Sequence, residues 1–101
     1  MTIKMFDTDS LDINVSVIDE ATGLDKDTTS ATATGTFKKN DGITTVAATI
    51  AVVSATVAPQ FTASVATAGL SAGVWQFLAE LQEAGKDQVV AEEDIIVSGG
   101  M

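Results

Sequence analysis

The stretch TSATATGTFKKNDGITTVAATIAVV, residues 29–53, constrains the fold more than any other. Thr32, Thr34 and Thr36 fall on one side of an extended chain, and Ala31, Ala33, Gly35 and Phe37 fall on the other. Side chains of a strand alternate between faces, and β-branched residues suit that pleated surface. Asn40, Asp41 and Gly42 then tolerate the positive φ that a tight hairpin turn requires. A returning strand is expected from Ile43 to about Val53, and Gly35 marks a bulge or a close backbone approach.

The same reading extends along the chain. Leu11, Ile13, Val15 and Val17 alternate with Asp12, Asn14 and Ser16, the pattern of a half-buried strand. DEATGLDKD, residues 19–27, is a solvated turn or loop. Pro59 cannot donate into a sheet ladder and closes the hairpin region. Phe61, Ala63 and Val65 then alternate with Thr62, Ser64 and Ala66 in a further strand, and AGLSAG (68–73) forms a corner of small residues. Two short strands are expected near the end, Gln88 to Ala91 and Asp94 to Ser98. Short strands separated by frequent turn signals point to a sandwich or a barrel.

GLSAGVWQFLAELQEAGK, Gly69 to Lys86, fits two templates. As a helix, with Ser71 as N-cap, it places Val74, Phe77, Leu78 and Leu81 on one face. As a strand it places Trp75, Phe77, Ala79 and Leu81 together, followed by a hairpin loop at EAGKDQ. Local pattern leaves both open. The neighbouring segments all read as strands, and sequential strands usually pair, so the strand reading is taken for 71–85.

Composition then narrows the chemistry. The 101 residues fit a single domain, with its core expected across about 11–98. Much of the apolar content is alanine, so Phe37, Phe61, Trp75 and Phe77 are the expected core anchors. No cysteine or histidine is present, which removes disulfides, thiolate nucleophiles, the usual zinc ligands and the usual neutral-pH base. Fourteen acids against five lysines give a net charge of −9, which disfavours phosphate backbones and makes nucleic acid an unexpected partner. The N-terminal segment does not read as a signal peptide, and VAATIAVVSATVA (46–58) is too short to span a bilayer. Synthesis in the cytosol is expected, with no membrane partner.

The segment AGLSAGVWQFLAELQEAGKDQVVAEEDIIV resembles the closing strands of immunoglobulin-like domains in tailed-bacteriophage virion proteins. These include baseplate upper protein N-terminal domains and tail-fibre-associated domains. Such domains carry a glycine–X–aromatic step at the start of a strand, matched here by Gly73, Val74 and Trp75. The alternating first strand, the acidic glycine loop and the threonine-rich second strand are also similar. The resemblance implies an all-β, immunoglobulin-like β-sandwich of about seven antiparallel strands. It implies a non-enzymatic part of a virion, present in symmetric copies on the tail, baseplate or fibre attachment, with other virion proteins as partners. Two alternatives are a decoration (cement) protein on the head and a binding module for host-surface glycan or protein.

Other candidate sites are weaker. Asp7, Asp9 and Asp12 cluster, as do Asp25 with Asp27, and Glu92, Glu93 and Asp94, but none has the spacing of an EF-hand loop. They are read as solvated acidic loops, with no metal or cofactor expected. Many carboxylates will be neighbours by chance, and few aromatics are present to build a sugar cleft, so hydrolase chemistry and a small-molecule substrate are not expected. Lys38 and Lys39 beside the hairpin turn are solubilising charges. Ile3, Met5 and Phe6 form an apolar cluster at the start of the chain. Such a cluster either pairs as an edge strand of its own domain or contacts a neighbouring subunit, and the latter marks these residues as possible partner contacts.

Overall fold

The computed structural model describes residues 2–66 and 69–99. Eight strands follow in order: β1 (Thr2–Phe6), β2 (Leu11–Val15), β3 (Thr32–Lys39), β4 (Thr45–Ala47), β5 (Thr49–Val52), β6 (Phe61–Val65), β7 (Gly73–Glu83) and β8 (Lys86–Ser98). They form a five-stranded sheet, ordered β1-β8-β7-β3-β4, and a three-stranded sheet, ordered β2-β6-β5. No helix occurs among the described residues.

The inner faces of both sheets meet in one core. Val15, Phe61, Ala63 and Val65 come from the smaller sheet, and Phe37, Trp75, Phe77, Ala79 and Ile95 from the larger. All alternate with solvent-facing neighbours, as the period-two pattern requires.

The ambiguous segment is β7. Trp75, Phe77, Ala79 and Leu81 point inward, and both edges of β7 are occupied, by β3 and by β8. Pairing on both sides fixes the strand where local propensity did not. The turn that follows is tighter than EAGKDQ suggested. Glu83 pairs with Lys86, and Ala84 and Gly85 both take positive φ, 53° and 76°. That is the backbone of a two-residue hairpin.

Four expectations are corrected. The strands number eight rather than about seven, and they are not all antiparallel, because β1 runs parallel to β8 from Thr2↔Asp94 to Phe6↔Ser98. The two short strands expected after residue 87 are one strand, β8, with a register shift that leaves Val90 as an extra residue between Ala79↔Ala91 and Glu80↔Val89. The core extends beyond 11–98, since Met5 is buried in it. Finally, the strand expected over 43–53 is two strands in different sheets, parted at Ala48. There the Ala48 N–H donates to Gly35 O at 2.9 Å. A Cβ on Gly35 would sit 3.0 Å from both Ala48 Cβ and the Phe77 ring. Gly35 is thus the close backbone approach that lets one chain leave the first sheet and enter the second.

Candidate functional site

The crossing at Ala48 opens a seam between the two sheets. β4 pairs only with Thr36–Lys38, so among the described residues Thr32–Thr34 of β3 have β7 on one side and no strand on the other. β5 lies at the edge of the smaller sheet. Between these edges runs a cleft of about 420 Å³, whose lining includes Ala31, Ala33, Ile50, Val52, Phe61 and Leu81. Val52, in the lining, is 74% exposed although it is the register partner of buried Phe61.

At one end of the cleft two lining residues, Thr28 and Ala55, are bonded to each other. Thr28 donates to Ala55 O through both its N–H (2.7 Å) and its hydroxyl (3.0 Å). Next to it Asp27 accepts from the Thr29 hydroxyl at 2.6 Å and from Thr29 N–H at 2.9 Å. These bonds, the hydroxyl's first, hold the Asp27 carboxyl below its ordinary pKa, so it is charged at neutral pH. Lys26 Nζ lies 3.5 Å from Glu83 at the same end.

Beneath the cleft Gln60 is fully buried and fully bonded. Its Oε1 accepts from Val17 N–H at 2.8 Å, and its Nε2 donates to Val17 O at 2.7 Å and to Lys26 O at 3.0 Å. The side chain thus stands in for a strand partner beyond the end of β2, fastening the acidic loop to the sandwich. No periodic signal pointed to Gln60. A long amide between Pro59 and an alternating apolar run was the available hint.

The expected anchors lie in the core: Phe37 and Phe77 are 0% exposed, Trp75 1% and Phe61 2%. The rings of Phe37 and Phe77 sit 5.1 Å apart at a tilt of 41°. Trp75 donates its indole N–H to Ser71 O at 2.9 Å, so it is not an open ligand platform. Lys39 does more than solubilise. Its Nζ sits 5.8 Å from the Trp75 ring centre and 3.0 Å from Ser71 Oγ. Its Cε would lie 2.7 Å from a Cβ on Gly73, which has φ 146°. The glycine of the glycine–X–aromatic step makes room for that lysine.

The cluster Ile3, Met5 and Phe6 separates by face. Met5 is 8% exposed and belongs to the domain's own core, which removes it as a partner contact; Ile3 is half-buried against the same core. Phe6 is 57% exposed. The acids also serve local structure. Asp9 accepts from Phe6 N–H at 2.9 Å, and Asp25 from Ala58 N–H at 3.1 Å. Asp41 accepts from Thr44 and Ile43 in the hairpin turn, bonds that hold its pKa at about 2 with the Thr44 hydroxyl as the largest cause. Among the described residues, no three acidic side chains are grouped as a metal site would need.

Compared with known proteins, the chain matches no family model, no curated protein and no solved structure.

Proposed function

We propose that this chain is a non-enzymatic structural component of a tailed-bacteriophage virion. In this reading it is a small immunoglobulin-like adaptor on the tail, baseplate or fibre-attachment region, present in symmetric copies and acting through contact with larger virion proteins. The observation that carries the contact reading is the set of open strand edges. Among the described residues the Thr32–Thr34 side of β3 has no strand partner, and β1 pairs with β8 only along Asp94–Ser98, so no strand pairs with Lys86–Glu92 on that side. Unpaired edges are surfaces on which another chain can continue a sheet.

Strand order supports the immunoglobulin-like assignment. The run β8-β7-β3-β4 follows the G-F-C-C′ order of that fold, and β2-β6-β5 follows B-E-D. One departure is that the tryptophan lies on β7, in the place of F rather than C, and no cysteine pair joins the sheets. The virion setting rests on the resemblance to phage domains over about residues 11–98, with its glycine–X–aromatic step at Gly73–Trp75. A place on the head as a cement protein is a variant of the same role. Recognition of a host-surface glycan would draw on aromatics at loop tips. Phe37, Trp75 and Phe77 lie within strands and Phe61 begins β6, and all four are buried, which gives that alternative less support.

Mass spectrometry of gradient-purified particles tests the reading. The chain is expected in the particle fraction at a fixed ratio to the major tail or baseplate protein. Recovery only in the soluble lysate, with particles lacking it, overturns the virion role.

A further inference from the structure

The lane beside β3 is half filled. β4 occupies it along Thr36–Lys38, and the chain then departs through Ala48 to the other sheet. Gly35 O accepts from Ala48 N–H, and Lys39 N–H donates to Thr44 O, so these residues of β3 turn their peptide groups toward the lane. In an antiparallel ladder that orientation repeats every second residue. Ala33 therefore turns its N–H and C=O the same way, at a point where β4 no longer runs. Behind it lies the apolar cleft, with Phe61 and Leu81 in its wall.

We propose that this lane seats an extended strand of a different protein, antiparallel to Thr32–Gly35 and in line with β4, with one aliphatic side chain in the cleft and a basic residue at its C-terminal end. Peptide groups spaced as a strand edge are matched by another peptide backbone, whose alternate side chains then point into the sandwich. The cleft lining carries no charged side chain, so an aliphatic group fits it. Direction follows from β4, which runs toward the Thr32 end of the lane. That end carries Asp27 and Glu83 against Lys26, an acidic balance that suits lysine or arginine on the incoming strand.

The stretch Lys86–Glu92 of β8, which has no second strand partner among the described residues, carries charges at Lys86, Asp87 and Glu92, whereas Thr32–Gly35 has none. A second copy of this chain is disfavoured as occupant because each copy carries a net charge of −9. The proposal deepens the contact reading and rests on it for the existence of a partner.

Two peptides of opposite flank charge, acetyl-TVTVTKK-amide and acetyl-TVTVTEE-amide, test it on the isotope-labelled full chain. At about 1 mM the lysine peptide is expected to slow amide exchange at Ala33 about fivefold, with Ile43 in the exposed turn unchanged. The glutamate peptide is expected to have little effect. Ala31→Leu, which fills the cleft, is expected to abolish the protection while leaving the amide shifts of β7 and β8 in place. Asp27→Asn is expected to narrow the difference between the peptides. No protection by either peptide overturns the proposal, as does equal protection by both. Protection of Ala33 without peptide, rising with protein concentration, overturns it in favour of a second copy. A chain found in particles that fails these tests keeps the virion role and loses the lane; one absent from particles that passes keeps the lane.

Discussion

Gln60 shows how one polar side chain organises a small apolar core. Its backbone belongs to the sheet, donating to Val15 O at 3.1 Å and accepting from Val53 N–H at 2.9 Å. Its side chain continues that ladder to Val17 and Lys26. Buried peptide groups cost about 1–3 kcal/mol each when left without partners. Gln60→Ala strands the Val17 N–H and the Lys26 carbonyl together, while the Val17 carbonyl keeps the Lys26 N–H at 3.0 Å. It is expected to lower unfolding free energy by about 2–4 kcal/mol in urea titration. A loss below about 0.5 kcal/mol would mean that water replaces the amide at no cost.

Among the elements, β1 is where local pattern and tertiary structure part. Its residues show alternation, but its partner is the far end of the chain, and a parallel pairing between termini leaves no local trace in sequence. Burial separates its two largest apolar side chains, Met5 inward and Phe6 outward. Met5→Ala is expected to cost about 2 kcal/mol of monomer stability, and Phe6→Ala less than about 0.5 kcal/mol. Equal, small effects in thermal melts would return Met5 to the surface.

The threonine-rich β3 and the alternating β2 and β6 were legible because each follows period two over several residues, and the NDG turn from its residue types; β7 fitted a helical period as well and was read as a strand only from its neighbours. The parting of β4 from β5 was not, since Ile43–Val53 is uniformly β-prone and the crossing depends on Gly35 meeting Ala48 in space. The open lane is a product of that crossing and was hidden with it. The Val90 bulge was hidden for a similar reason, as an extra residue is defined only against its partner strand.

At the scale of the molecule, the long β7–β8 ribbon helps set an elongated shape, 46 × 23 × 20 Å. Open edges lie on more than one side of this body, and a net charge of −9 opposes self-association through them. The proposed role has this acidic sandwich placed repeatedly on a larger, symmetric scaffold through those edges. Imaging of purified particles at a resolution that separates strands tests that role most directly. Symmetric copies of a two-sheet density of these dimensions are expected, with a sheet edge set against a larger virion protein. Particles that lack such density, or that hold it only by the β7–β8 hairpin tip with every edge free, would contradict that role.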